Sequence, residues 1–377
     1  MKRLALAALV LLTACSGAPD PGAQPADSSA PSARATDHPV PIVAEALAAT
    51  AGEPGVDVTE ILSGGPPPDG IPAVDDPVIV PADEADESLV ESEQVLLVEH
   101  EGEARAYPLR SLVRHEIVND VLGGLPVAAT WCPLCNTGVA FDRNVPGGGV
   151  TTFGVSGTLY RSAMVMFDRE TRSLWAQPSG TAVLGERTGT RLSLVSSSIL
   201  PWSEARAVPG VTVALADRSE LDAATNPYQG YDTSDEPFLF RGRIDPRLPA
   251  FERVAGVSFD GDARAWSYAL LAQERVVTAT VGGQPLVMFW ASGSSSALDT
   301  RDITEGREIG ATGVYEPDGQ SFTADPEGFR SGDGTLWSLG GLAVSGPQEG
   351  EQLERLPSQD AFWFAWAAFN PETVLTS

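Results

Sequence analysis

Two cysteines two residues apart, Cys132-Pro133-Leu134-Cys135, are the group in this chain best suited to chemistry. Thiolates at that spacing serve soft-metal ligation, disulfide exchange or a structural disulfide. The apolar run Val127 to Trp131 precedes them and reads as a buried strand. Asn136-Thr137-Gly138 follows, and Asn136 tolerates the left-handed backbone of a turn that points both sulfurs one way. A structural zinc site takes four ligands, commonly from two such pairs. Only one pair is present, which excludes the usual zinc ribbon, so further ligands must come from elsewhere. His115 is the best candidate, with Glu116, Asp120, Met164 or Met166 completing the set. Thiolates with an imidazole suit copper(I) or zinc, and no organic cofactor is indicated.

Three other uses of the pair stay open. In thioredoxin-type motifs the first cysteine opens a helix that lowers its pKa; here a turn and a strand follow, which counts against that mechanism. The pair also suits a thiol-dependent redox enzyme of another kind, or a binding module in which Cys132 and Cys135 form a small-loop disulfide. Ser156, in Gly154-Val155-Ser156-Gly157, lacks the Gly-x-Ser-x-Gly context of a hydrolase nucleophile. Asp142-Arg143 and Tyr160-Arg161-Ser162 suit an anion or mutual pairing.

An internal repeat supplies a control on these candidates. Val95 to Trp131 aligns with Val254 to Trp290 without a gap, 159 residues on, with twelve of 37 positions identical. Gly180 to Trp202 aligns with Gly341 to Trp363, with eight of 23 identical. Gly102, Arg105, Gly123, Gly124 and Trp131 survive in both blocks and are assigned to structure. His115-Glu116 becomes Glu274-Arg275, Asn119-Asp120 becomes Thr278-Ala279, and Cys132 and Cys135 become Ala291 and Ser294. The stretch holding Met164, Met166 and Asp168 has no counterpart, whereas Arg161-Ser162 matches Arg330-Ser331. Loss of the cluster as a group points to one shared task.

The elements that must position these residues are mostly strands. Val95–Val98 and Ala104–Tyr107 flank a turn at Glu101-Gly102; Leu109 to Val113 suits a short helix; Leu122-Gly123-Gly124 breaks the chain before the Val127 strand. Met164–Phe167 and Ser173–Ala176 pair across Arg169-Glu170-Thr171, and each block ends in a short helix near Trp202 or Trp363. The expected fold is mainly β with a few short helices, in two tandem copies of one unit. The division is a signal segment over 1–15, a disordered Pro/Ala/Ser tether over 16–55, a first unit over 56–216, a linker over 217–247 and a degenerate second unit over 248–377.

Composition fits this division. The chain has 377 residues, 38 glycines and 30 prolines, and a formal charge of −27 with Lys2 as its one lysine. A nucleic-acid binder needs a basic face, so that partner is excluded. Lys2-Arg3, the apolar run Leu4 to Leu12 and Leu12-Thr13-Ala14-Cys15 resemble a bacterial lipoprotein signal. The resemblance implies lipidation of Cys15 and attachment to a membrane surface on the extracytoplasmic side. No protein or small-molecule partner is indicated.

The motifs together resemble the domain-of-unknown-function family numbered 3179. They are Gly64-Gly65-Pro66-Pro67-Pro68-Asp69-Gly70-Ile71-Pro72, Ala106-Tyr107-Pro108-Leu109, His115-Glu116-Ile117-Val118-Asn119-Asp120, Cys132-Pro133-Leu134-Cys135 and Val155-Ser156-Gly157-Thr158-Leu159-Tyr160. The likeness is strong over about 60–215 and weak afterwards. Asn136 stands where the pattern has Gly. The resemblance singles out the same residues and brings no reaction with it.

Overall fold

Two-residue turns at left-handed angles organise most of the chain. Gln94–His100 and Glu103–Pro108 form an antiparallel hairpin from Val95↔Pro108 to His100↔Glu103. Its turn, Glu101-Gly102, has φ of +47° and +81°, angles whose twist suits a tight hairpin. The helix Leu109–His115 follows and ends on Glu116, itself left-handed at φ +58°. Ile117–Leu122 then pairs with Leu125–Cys132 around Gly123-Gly124, and Thr137–Asp142 adds a third strand. These positions are part of a computed structural model that describes residues 38–222 and 224–377. The signal segment, Cys15 and the first part of the tether lie outside the described residues.

A second sheet faces this one. Phe153–Tyr160 pairs with Ala163–Asp168, which pairs with Leu174–Ala176. The register shifts between Val155 and Thr158. Gly157 occupies the irregularity at φ +73°, where an added Cβ would stand 1.9 Å from the Pro66 carbonyl oxygen. Only glycine fits that corner.

The same run of elements recurs 159 residues on: strands Arg253–Phe259 and Asp262–Ser267, helix Tyr268–Glu274, strands Val276–Val281 and Gln284–Ala291. Each leading hairpin has an antiparallel strand on one side, Ser197–Pro201 or Gln359–Phe362, and a parallel strand on the other, Thr212–Leu215 or Val374–Thr376. The later hairpins differ from the expected alignment. Trp175 donates its indole N–H to Asp168 and Trp337 donates to Ser331. Ser331 therefore stands where Asp168 stands, not where Ser162 does.

Two segments depart from the expected division. Within the tether, Pro41–Ala49 is a helix that buries Ile42, Val43 and Ala46, because its apolar residues fall at helical spacing and meet Val183 and Leu184 in one core. Residues 217–247 are not a bare linker: Glu220 and Asp232 are buried there and accept hydrogen bonds from both halves of the chain. The cores cross the halves as well. Cys132, Cys135, Trp131 and Met164 share one apolar cluster with Leu298, Phe362 and Phe364, so the aromatic residues Phe362 and Phe364 near the C-terminus belong to the core.

Candidate functional site

The cysteines sit at the tip of the hairpin Leu125–Cys132/Thr137–Asp142, closed by the pair Cys132↔Thr137. Asn136 takes the expected left-handed conformation, φ +52°. Both thiols are free and buried. The Met164 N–H donates to Cys132 Sγ at 3.4 Å, the Cys135 thiol donates to the Cys132 carbonyl at 3.8 Å, and the Thr137 hydroxyl donates to the Cys135 carbonyl at 3.2 Å. Burial pushes the Cys135 thiol well up, and the adjacent Cys132 sulfur adds to that rise. The tip is clamped from outside. Gln177 Nε2 donates to Thr130 Oγ1 and Thr137 O, and the Phe362 N–H donates to Cys135 O at 3.0 Å.

Beside the tip lies a cavity of about 450 Å3, lined among others by Ile71, Leu134, Leu159, Met164, Tyr231 and Phe238. Glu116 and Tyr228 bring polar groups into this apolar wall. The left-handed backbone at Glu116 turns its side chain off the helix axis, and the Glu116 carbonyl accepts from the Trp131 N–H at 2.9 Å, which fixes the corner against the cysteine strand. The residue is 6% exposed. Tyr228 donates its hydroxyl to Glu116 Oε1 at 3.1 Å. Burial raises the carboxyl to about 7, against which the Tyr228 bond is a smaller, opposing influence. Burial with the Glu116 charge holds the Tyr228 hydroxyl well above the ordinary phenol range.

His115 does not join the sulfurs. Its Nδ1 meets the Pro72 carbonyl at 2.7 Å and its Nε2 meets Glu220 Oε1 at 2.9 Å. Both partners are acceptors, so the ring is held as a two-donor imidazolium, and its pKa is raised chiefly by the Glu220 bond. Glu220 also accepts from Ser111 and the Ala216 N–H; burial alone would raise its pKa, but these bonds together lower it. Asp120 is equally committed, accepting from Arg105 at 2.7 Å, Tyr107 at 2.9 Å and the Val121 N–H. Met166 is fully buried opposite Trp175; Met164 is the methionine at the cavity. Among the described residues no group of three or more His, Cys, Asp or Glu side chains is placed to hold a metal ion.

The remaining candidates serve the fold. Ser156 donates to Val165 O. Arg143 binds the carbonyls of Val127, Thr151 and Asp120. Asp168 accepts from Trp175 and Thr171. Arg161 reaches Glu60 and the Ala368 carbonyl. Tyr228 and Tyr231 lie in the segment whose composition reads as a linker, which by itself gives no site signal. The available signal was their density, two of the chain's six tyrosines within four residues.

The fold and site define a mainly β protein with a buried dithiol beside an apolar cavity that carries one near-neutral carboxyl. The chain belongs to the family described as Protein of unknown function (DUF3179), whose model matches residues 68–373. No curated protein and no solved structure matches it.

Proposed function

We propose that this chain is an exported lipoprotein, held at the membrane by lipid on Cys15, whose working part is a thiol-dependent redox centre acting on a small molecule in the cavity. The observation that carries the reading is the unbonded pair Cys132 and Cys135 next to a cavity that also holds Glu116 near its neutral point. Perturbed acids in apolar pockets mark functional sites. Cys132 is the attacking sulfur, since its hydrogen-bond partner Met164 lines the cavity. Cys135, held protonated, resolves. With a low-molecular-weight disulfide as oxidant, Cys132 passes its proton to Glu116 and attacks one sulfur. The substrate S–S bond breaks, and the leaving thiolate takes the proton back from Glu116. Cys135 then attacks the Cys132 sulfur and expels the second thiol, which takes the Cys135 proton. The protein loses two electrons to form the Cys132–Cys135 disulfide, and the substrate is reduced to two thiols.

We further infer that residues 248–377 are a second copy of the unit that has lost this centre. The constant 159-residue spacing of five elements and the matching parallel edge strands support that reading.

A second reading is favoured by the Met164 N–H aimed at the Cys132 sulfur, which suits a thiolate bound to a soft ion. In it, copper(I) or zinc is held by Cys132 and Cys135 with the Met164 thioether; His115, Glu116, Asp120 and Met166 are not needed. Reduced protein mixed with hydroxyethyl disulfide, a neutral probe, separates the two. Loss of two protein thiols with release of two small thiols, a mixed disulfide trapped in Cys135→Ser and no reaction in Cys132→Ser support the redox centre. Inert thiols in folded protein sink it. Stoichiometric copper or zinc in natively purified protein, absent from both Cys→Ala variants, establishes the metal site instead.

A further inference from the structure

Glu116 has a counterpart whose side chain is informative. Arg275 ends the helix Tyr268–Glu274 as Glu116 ends Leu109–His115: φ and ψ are 59° and −29° against 58° and −27°. Both N–H groups bond the fourth residue back, Leu271 or Leu112. Both carbonyls accept from the indole residue of the neighbouring strand, Trp290 or Trp131, at 2.9 Å. The two side chains thus start from the same backbone corner and face the same kind of hairpin.

What fills the space ahead of them differs. Arg275 extends to the tip of the hairpin Phe322–Asp325/Gly328–Ser331, donating to Asp325 O at 2.8 Å and Gly328 O at 3.4 Å with its guanidinium 5.5 Å from the Phe329 ring centre. A cation closes that corner. At the first corner the side chain is shorter and of opposite sign, and the space ahead is the cavity bounded by Gly157, Leu159 and Met164 of the opposing hairpin. Glu116 Oε1 has Tyr228; Oε2 has no hydrogen bond among the described residues. That oxygen is not sealed off and opens on the cavity, and a mostly buried carboxylate with one free oxygen is stabilised when a cation joins it.

We propose that the cavity beside Glu116 receives a small organic cation, an ammonium or guanidinium group seated on Glu116 with its apolar part against Ile71, Leu134 and Leu159. Tyr228, Tyr231 and Phe238 in the lining add aromatic surface suited to a cation. The net charge of −27 concentrates such ligands near the chain. This names the substrate class of the redox centre and so rests on that reading, yet it is tested apart from it.

The test is calorimetric titration of the full chain with butylammonium, butylguanidinium and the neutral butyramide. One equivalent of either cation binds, at least about tenfold tighter than butyramide. Glu116→Gln, which keeps the Tyr228 bond and the fold, weakens the cations by about tenfold or more and leaves butyramide unchanged. The Cys132→Ser/Cys135→Ser double variant binds the cations as the parent does. Equal binding of all three probes, or cation binding unaltered in Glu116→Gln, overturns the proposal whatever the thiols do. Inert thiols with selective cation binding would remove the redox reading and leave this one standing.

Discussion

Removing the charge of Glu116 changes stability in a pH window that the geometry fixes. The carboxyl is 6% exposed and burial raises it from 4.5 to about 7. A raised acid binds its proton more tightly in the folded than in the unfolded chain. The fold therefore carries no penalty below about pH 4.5, a growing one from there to about 7, and the full one above. At about 1.36 kcal/mol per pH unit the full penalty is roughly 3 kcal/mol. Glu116→Gln keeps size, backbone preference and an oxygen for the Tyr228 hydroxyl, but has no charge to bury. The variant should match the parent at pH 4 and exceed it by roughly 3 kcal/mol at pH 8. Urea unfolding of both proteins at pH 4, 6 and 8 measures this, since all other titrations cancel in the difference. A difference that stays flat across the three pH values would show that Glu116 is not buried as an acid in an apolar wall. That result would remove the proton carrier from the proposed reaction as well.

Three further outcomes follow from single side chains. His115→Ala leaves Glu220 without its main partner and should cost about 1–3 kcal/mol, read by urea unfolding. That loss should fade as pH rises through the raised His115 pKa, because a raised base stabilises only while protonated; disulfide exchange or metal content should be unaltered, and a loss of either would return His115 to the site. Gly157→Ala places a Cβ against the Pro66 carbonyl at a left-handed backbone; it should lower the melting temperature and impair binding in the cavity, and a neutral result would refute the tight corner. Cys15→Ala should leave the membrane fraction or stay unprocessed; normal processing with membrane retention would rule out the lipid anchor.

Local chemistry made much of this protein legible from its residues. Left-handed turn pairs such as Glu101-Gly102 and Gly123-Gly124, the helix ahead of Glu116 and the hairpin tip at Cys132–Asn136 depend on neighbours a few positions away. The 159-residue spacing is likewise a property of the string itself. Which side chains share a site is not such a property. His115 and Glu116 are adjacent, but a left-handed corner sends them to opposite sides, one to Glu220 and one to the cavity. No periodicity in the sequence signals that corner, because Glu seldom adopts it and the Trp131 N–H holds it there. Tyr228 meets Glu116 across 112 residues, through a segment whose composition reads as loop. Contacts of that range are decided by packing: the free energy of burying Phe362, Trp131 and Tyr231 together sets where the strands cross, and only then does the Glu116 carboxyl come to a cavity shared with Leu134 and Met164.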